Sequence, residues 1–365
     1  MGAHPKAPSM VQINDKRQSL TDLIKTDPID ILGEQIAGRY DNQLPYLFKV
    51  LAAEAPLSIQ AHPNAHQAAL GYARENALGI PMDAPHRNYR DDRHKPECIC
   101  ALTPFWGLCG FRKIPEIALL LQRICPQTMR RELRALKNQP DVSGLRTFFQ
   151  SLMTMTAEGI SRIIKETIAH ARDAKDQDET MAWIMRLATV YPRDIGVIFP
   201  AILNVVCLQP GEALFLAAGE LHAYLEGVGI ELMANSDNVL RGGLTPKHVD
   251  VAELMQVLNF QAKPIDILLP EPCGPHETCY RTPAVEFVLS AIRLNAGNVY
   301  ESPLERSAEI LLATEGSAEL FEQDYGKRIR LRKGVSVIVP AAVPRYRIDG
   351  EVVLYKASVP LQAHA

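Results

Sequence analysis

Five side chains in three separate segments have the types and spacing of a metal-binding site. Ser58, Gln60 and His62 occur at every second position, and alternate side chains of a β-strand point to the same face. The amide oxygen of Gln60 and the imidazole of His62 would therefore lie on one face. Glu97 and His222 supply a carboxylate and a second imidazole from elsewhere in the chain. Two histidines and one glutamate suit a catalytic zinc site that keeps a coordination position open, and the neutral amide leaves that site with net positive charge.

A set of polar and glycine-containing segments extends this pattern along the chain. The segments are Met1-Gly-Ala-His4-Pro5, Leu44–Val50, Ser58–Asn64, Asn88-Tyr89, His94–Glu97, Leu203–Val206, Pro210-Gly-Glu212 and Glu231–Lys247. Together they resemble the type I mannose-6-phosphate isomerases, and the segment from Glu231 to Lys247 is the most specific. The resemblance implies that Gln60, His62, Glu97 and His222 hold one zinc ion per chain. It also favours zinc over the iron that a plain set of two histidines and one carboxylate would suggest.

The resemblance implies an activity, the interconversion of mannose 6-phosphate and fructose 6-phosphate through a cis-enediol. Such a reaction would feed GDP-mannose synthesis or mannose catabolism. A divalent ion beside the enediol oxygens acts as a Lewis acid, and a positioned general base contributes about a hundred- to ten-thousand-fold. Glu231, Asp237, His94 and a zinc-bound water are all candidates for that base, and the residues alone do not choose among them.

Arg241 is the side chain for which we predict a catalytic role first. It precedes Gly242-Gly243, which permits close approach of a substrate, and a guanidinium stays charged and binds planar oxygen pairs in a fork. It would neutralise the enediolate or hold the phosphate, and the family assigns the matching arginine to catalysis. The alternative is a structural ion pair with Asp237.

Further basic and polar side chains are predicted to contact the substrate. Lys95 shares a strand face with Glu97, with Pro96 between them, which suits the rim of a cavity. Lys95 and Lys247 are the expected electrostatic partners of an anionic sugar. Ser58 and His4 are predicted to bind the phosphate or a sugar hydroxyl, with a structural or solvated role as the alternative for each.

The sequence patterns predict that two β domains with a helical insertion position these residues. Short apolar runs at 46–51 and 57–62 predict strands, whereas helical spacing of apolar residues appears at 160–168 and 184–191. A turn, a strand and a corner at 208–222 recur at 331–340, which fits two cupin (jelly-roll) modules. The fold class predicted is mainly β, with two cupin β-barrel domains and an α-helical subdomain.

The domain boundaries follow from the same pattern. We predict a catalytic zinc-binding cupin from 1–104 and 199–262, a helical insertion at 105–198, and a C-terminal cupin-like domain at 263–365 that is metal-free. The resemblance further implies a segment with an aromatic-Ala-Trp-Gly strand ahead of His4, which this chain lacks. We expect the loss of such a strand to expose a sheet edge.

The composition of the chain limits the classes of binding partner that we expect. The net charge of −3 argues against a protein that coats nucleic acid or an anionic membrane, and the sequence contains neither a membrane-spanning apolar run nor a secretory signal. We expect a cytoplasmic protein with a phosphosugar substrate. The sequence does not determine the oligomeric state, and we favour a monomer. Two other hypotheses stay in view, an iron-dependent cupin dioxygenase and a sugar-binding cupin without turnover.

Overall fold

The computed structural model describes residues 1–361 except 14, 175, 177 and 323–325. The chain begins with a two-stranded hairpin and three short helices. These are β1 (Met10–Ile13), β2 (Lys16–Ser19), α1 (Leu20–Thr26), α2 (Pro28–Leu32) and α3 (Glu34–Arg39). The Ser19 hydroxyl caps α1 by accepting a hydrogen bond from the Asp22 amide at 3.1 Å, which satisfies one of the free amides of the first turn.

Among the described residues, nine strands form the first β domain. They are β3 (Tyr46–Ala53), β4 (Ile59–Ala61), β5 (Glu97–Ala101), β6 (Phe105–Phe111), β7 (Leu203–Leu208), β8 (Ala213–Leu216), β9 (His222–Ala234), β10 (Leu240–Gly243) and β11 (Ile267–Leu268). Strand β9 holds the domain together, because its first part pairs with β4 and β6 and its second part with β3 and β5. The change of partner occurs at Gly227, where φ is +128° and a Cβ atom would lie 2.7 Å from the Pro104 carbonyl. Only glycine adopts that conformation readily.

The helices lie mostly between β6 and β7. They are α4 (Ala65–Ala77), α5 (Ile114–Ile124), α6 (Arg130–Asn138), α7 (Val142–Met153), α8 (Ala157–Ala171), α9 (Glu179–Val190) and α10 (Val251–Val257), with 3₁₀ turns at 172–174 and 195–201. The predicted start of the insertion at 105 differs from this arrangement. Residues 105–111 form β6, which pairs with β7 and β9, and the helices between β6 and β7 begin at Ile114. The glycine-containing apolar run of β6 is buried on both faces, so it carries no alternation that would mark it as a strand.

In the part of the chain that the structure describes, the second β domain contains eight strands. They are β12 (Glu271–Gly274), β13 (Glu277–Tyr280), β14 (Val288–Leu294), β15 (Val299–Glu301), β16 (Glu309–Glu322), β17 (Arg328–Arg332), β18 (Ser336–Val339) and β19 (Tyr346–Ser358). Its interior holds a buried ionic cluster in which Lys356 Nζ lies 2.7 Å from Glu277 Oε1 and 3.0 Å from Glu309 Oε1. Two tyrosines complete the cluster, since Tyr300 donates to Glu277 at 2.9 Å and Tyr346 to Glu309 at 2.7 Å. An internal ammonium group thus balances the carboxylates inside this domain.

The two β domains share a hydrophobic core. Tyr46 and Phe48 from β3 pack in the same buried cluster as Tyr280 and Phe287 of the second domain, and the Tyr46 hydroxyl donates to the Ala357 carbonyl at 3.0 Å. The predicted fold class, mainly β with two jelly-roll domains and a helical insertion, is confirmed. Within the described residues, no helix has the length and apolar character required to cross a membrane.

Candidate metal centre and active site

Three predicted ligands converge inside the first β domain. His62 directly follows β4, Glu97 is the first residue of β5, and His222 is the first residue of β9. Their ligating atoms lie within 4.8 Å of one another and all three side chains are buried. His62 Nε2 is 3.2 Å from Glu97 Oε1, and His222 Nε2 is 3.5 Å from Glu97 Oε2. In the described part of the chain, this is the one group of at least three such side chains with metal-binding geometry.

The ring orientations of the two histidines explain why this group fits a cation. His62 Nδ1 lies 2.7 Å from the Asn238 carbonyl and His222 Nδ1 lies 2.9 Å from the Glu220 carbonyl. A carbonyl only accepts hydrogen bonds, so each Nδ1 carries the proton and each Nε2 lone pair faces Glu97. Buried His62 Nε2 has no hydrogen-bond partner among the described residues, and the Lys95 ammonium group, 3.1 Å from Glu97 Oε1, approaches only the carboxylate. Acceptors that face each other in a dry interior are costly, and a divalent cation between them removes that cost.

Gln60 occupies a row of cross-strand neighbours that ends at the metal group. It pairs with Arg241 on one side and with His222 on the other, and directly opposed residues share a face of the sheet. Its amide nitrogen lies 3.5 Å from His222 Nε2. Rotating the amide by half a turn presents its oxygen instead, so Gln60 can serve as a fourth ligand.

The protonation states suit metal binding. Burial lowers the pKa of His62 to about 4, so the ring is neutral near pH 7. Burial alone would raise the pKa of Glu97, but Lys95 and His62 outweigh it and hold that pKa well below its usual range. Lys95 Nζ lies 3.1 Å from Glu97 Oε1. Burial would lower the pKa of Lys95, yet Glu97 and Glu231 raise it. Neutral imidazoles and an ionised carboxylate are the forms that bind zinc.

Two further carboxylates lie in different surroundings. Glu231 is buried, and its Oε2 accepts from Lys49 Nζ at 3.0 Å. Burial and the charge of Glu97 raise the pKa of Glu231, despite an opposing contribution from Lys49. Asp237 is half-buried beside His4 Nε2, at 3.1 Å. Burial would raise the pKa of Asp237, but its hydrogen bond with His4 lowers it. Glu231 is thus the carboxylate better suited to exchange protons near neutral pH.

Arg241 is not paired with Asp237, the alternative considered above. Among the described residues, no carboxylate forms an ion pair with it. Burial and the charge of Arg90 lower the pKa of Arg241, which places a second guanidinium in its neighbourhood. Two arginines without a carboxylate between them form an anion-binding environment.

The remaining predicted residues lie away from the metal group. The His94 side chain points to the C-terminal domain, where its Nε2 lies 2.7 Å from Glu286 Oε1. Lys247 is exposed, and its backbone amide donates to Thr245 Oγ1 at 3.1 Å. Ser58 is half-buried just before β4. None of these three contacts the metal group among the described side-chain interactions.

Sequence reasoning missed several residues that complete the site. The Tyr224 hydroxyl donates to Glu97 Oε2 at 3.3 Å, and alternation with His222 along β9 was the available signal. Lys49 pairs with Glu231 because the two residues are directly opposed on β3 and β9, which no local pattern reveals. Asn238 and Arg90 lie in segments without regular structure, so their contacts had no signal in the sequence.

A pocket of about 310 Å³ opens beside the metal group. Its lining residues are Met1, Gly2, His4, Ala7, Ser9, Leu47, Lys49, Lys95, Met233, Ser236 and Asp237. A larger cavity of about 850 Å³ lies between the β1–β2 hairpin and the second β domain. Neither described lining contains a ligating residue, but the smaller pocket is lined by Lys95, which contacts Glu97, and by Lys49, which contacts Glu231. The smaller, charged pocket is therefore the candidate active site. A jelly-roll domain with such a candidate metal group inside it is typical of metal-dependent enzymes of the cupin class.

Comparisons with known proteins identify the family. The model for the phosphomannose isomerase type I catalytic domain matches residues 1–114, and that for the helical insertion domain matches residues 121–203. Mannose-6-phosphate isomerase of Escherichia coli is 43% identical over 93% of this chain and 85% of its own length. The rat protein of the same name is 32% identical over 99% of this chain and 85% of its own length. The chain belongs to the type I phosphomannose isomerase family.

Solved structures agree with this assignment. A variant of phosphomannose isomerase from Salmonella typhimurium superimposes with a TM-score of 0.91 and 39% identity, covering 98% of this chain and 90% of that one. A zinc-bound mannose 6-phosphate isomerase superimposes with a TM-score of 0.90, also with 39% identity and the same coverage. The likeness therefore extends over both β domains and the helical insertion.

Proposed function

We propose that this chain interconverts mannose 6-phosphate and fructose 6-phosphate through a cis-enediol, with one zinc ion per chain held by Gln60, His62, Glu97 and His222. The observation that carries the proposal is the buried contact between the His62 Nε2 lone pair and Glu97 Oε1, two acceptors that need a cation between them. Zinc-bound relatives of the same fold support the choice of metal.

The chemistry requires charge stabilisation at the sugar oxygens. A bound zinc ion supplies Lewis-acid stabilisation of the negative charge that develops on the enediol. Lys95, whose ammonium group is buried 3.1 Å from Glu97, adds a fixed positive charge at the same place. Because both charges are in position before the reaction begins, they require no reorganisation when the proton leaves.

We assign the proton transfer between C2 and C1 to Glu231. Its carboxylate is buried, its pKa is raised, and only one of its oxygens is engaged by Lys49. Asp237 is the weaker candidate because its pKa is lowered by His4. His94 is engaged with Glu286, so we no longer propose it as the base.

The remaining predicted residues serve substrate recognition in this proposal. Arg241, with Arg90 near it, holds the phosphate or the enediolate, while His4 lines the pocket beside Lys95. Lys247 and Ser58 stay as predicted substrate contacts at the edge of the site. Catalysis belongs to the first β domain, and the C-terminal domain at 263–365 contributes packing. A role in GDP-mannose synthesis or mannose use, a cytoplasmic location and a monomeric state remain predictions.

A coupled assay of fructose 6-phosphate formation from mannose 6-phosphate tests the proposal. The chain is assayed as purified, after chelator treatment, and after zinc is restored. Activity that disappears with the chelator and returns with zinc is the expected result. A folded, zinc-loaded chain that binds mannose 6-phosphate without turnover would favour the sugar-binding hypothesis. Substrate-dependent oxygen uptake with iron would favour the dioxygenase.

A further inference from the structure

Two loops beside the metal centre are joined by side chains rather than by a β-sheet. Residues 87–96 and 235–239, all of which the structure describes, contain neither helix nor strand. The first loop leads into Lys95 and Glu97, and the second contains Asp237 and leads into Arg241. Their mutual position is therefore not set by a hydrogen-bonded ladder, and something else must hold them.

The side chain of Asn238 provides most of that connection. It is fully buried. Its Nδ2 donates to the carbonyls of Asp91 and Arg93, both at 2.8 Å, and its Oδ1 accepts from the amides of Arg90 and Asp91 at 2.7 and 3.2 Å. Two hydrogens and two lone pairs are the full capacity of an amide side chain. The side chain of Asn238 therefore bonds the backbone of the 87–96 loop, as a neighbouring β-strand would do.

The carboxylate of Asp91 completes the connection from the opposite side. Its Oδ2 accepts from the Asp237 amide at 2.8 Å, and its Oδ1 accepts from the Ser236 hydroxyl at 2.8 Å. The same Oδ1 lies 3.2 Å from Asn238 Nδ2, so one of the two side-chain amide hydrogens is shared between this oxygen and a carbonyl. Bonds to an ionised carboxylate are stronger than those between neutral groups. We call Asp91, Ser236 and Asn238 the loop clamp.

The loop clamp ends on a metal ligand. The backbone carbonyl of Asn238 accepts the Nδ1 proton of His62 at 2.7 Å, so the position of this one carbonyl sets both the tautomer and the ring orientation of His62. The ring then presents Nε2 to Glu97 at 3.2 Å. Partners of this kind, one shell beyond the ligands, tune metal affinity.

We propose that Asp91 and Asn238 are positioning residues for the metal ligand His62. They hold the Asn238 carbonyl where it fixes the ring. This inference rests on the zinc assignment proposed above. In the same arrangement the loop clamp bonds the backbone of Arg90 and Asp237. It therefore orders the metal ligand together with Asp237, which lines the pocket, and with Arg90, which lies near Arg241.

The experiment compares zinc affinity with zinc-free stability. Asn238→Asp keeps the shape but replaces the donating amide group with an oxygen that faces the Asp91 carboxylate and two carbonyls. Asp91→Asn replaces one accepting oxygen with an NH₂ group, which then faces hydrogen-bond donors of Ser236, Asp237 or Asn238. We expect each variant to lose about 10- to 100-fold in zinc affinity, measured by competition with a chromophoric chelator. The absorption spectrum of the cobalt-loaded protein should also change, because the ligand geometry has changed.

A matched control separates positioning from general destabilisation. Glu166 in the helical insertion accepts from the amides of Gln127 and Thr128, both at 2.8 Å, so its carboxylate also holds a loop by backbone amides. Glu166→Gln should lower zinc-free stability and leave the zinc affinity and the cobalt spectrum unchanged. A loss of stability alone therefore does not mimic the expected result.

The outcomes are distinguishable. If folded Asn238→Asp and Asp91→Asn bind zinc as tightly as the unaltered chain, with an unchanged cobalt spectrum, the inference is overturned. If both fail to fold, Ser236→Ala decides. It removes the hydroxyl that contacts Asp91, the Arg93 carbonyl and the Asn238 backbone amide, and leaves the side-chain bonds of Asn238 in place. Unchanged zinc affinity in this variant overturns the inference, and weakened affinity supports it. An unaltered chain that binds no zinc would instead refute the proposed function.

Discussion

Replacing Lys95 with methionine should weaken the zinc-free protein and tighten zinc binding. The Lys95 ammonium group lies 3.1 Å from Glu97 Oε1, and both side chains are buried. Without zinc, this ammonium group is the main positive charge that balances Glu97. With zinc bound, the same carboxylate has a second cation, and the two cations repel each other. Lys95 and zinc therefore compete for Glu97.

The magnitude follows from the distance. At 3.1 Å and an effective dielectric constant of about 20, the attraction between the two charges is about 5 kcal/mol. Removing one partner of a buried pair typically costs about 3–5 kcal/mol, which we expect for Lys95→Met in the presence of chelator. If the loss in the zinc-bound protein is smaller by about 1.4–3 kcal/mol, zinc binding is about 10- to 100-fold tighter.

Two measurements test this reasoning. Urea unfolding in chelator gives the zinc-free stability, and chelator competition gives the zinc affinity. Lys6→Met is the control, because Lys6 forms an exposed pair with Asp237 at 3.4 Å and does not contact Glu97. It should change neither quantity appreciably. The turnover of Lys95→Met should fall even when it is saturated with zinc, since the fixed charge beside the substrate is gone. Zinc binding that becomes weaker in Lys95→Met would show that Lys95 supports the metal, and our reasoning would be wrong.

Three other substitutions test separate parts of the structure. Lys356→Met leaves Glu277 buried without its counter-ion and should lower the free energy of unfolding by about 3–5 kcal/mol, measured by urea denaturation. Glu231→Gln should reduce kcat by about a hundred- to ten-thousand-fold with zinc content unchanged by metal analysis. Glu286→Gln should remove a stabilisation that depends on pH. Burial would raise the pKa of Glu286, but His94 lowers it below its unfolded value. That stabilisation is therefore present above about pH 4.3 and is lost as pH falls through the folded pKa, which unfolding in chelator at several pH values would detect.

Each of these predictions has a clear contrary result. Arg123→Met breaks a pair with Asp178 that is largely exposed on the arginine side and should cost about 1 kcal/mol or less, so an equally small effect for Lys356→Met would refute the buried-pair argument. Near-normal kcat in Glu231→Gln would remove Glu231 as the proton carrier. A stability difference for Glu286→Gln that persists unchanged at acidic pH would exclude an ionised carboxylate as its source.

A local pattern pointed to part of the candidate metal group, and the resemblance to a family supplied Glu97 and His222. Gln60 and His62 lie two positions apart around a strand, and that period is a property of the strand itself. The helices at 157–171 and 179–190 were predictable for the same reason, because their apolar spacing is local. The choice of zinc and of the reaction rested on the resemblance to a family, since the ligand types alone also allow iron.

The start of the insertion was not predictable. Strand β6 at 105–111 finds its partner β7 at 203–208, across the whole helical insertion. Buried on both faces, β6 shows no alternation, and nothing in the intervening residues marks the pairing.

The sequence by itself determined which residue types are present and which neighbours within a strand or helix share a face. Only the tertiary structure decided which side chains meet across loops. It paired His94 with Glu286, left Arg241 without a carboxylate partner among the residues that the structure describes, and brought the Asn238 carbonyl to His62. These contacts join residues 176 to 192 positions apart, and a contact at such separation depends on how every intervening element packs. The type of a side chain is given directly by the sequence. Its long-range contact partner depends on how the rest of the chain folds.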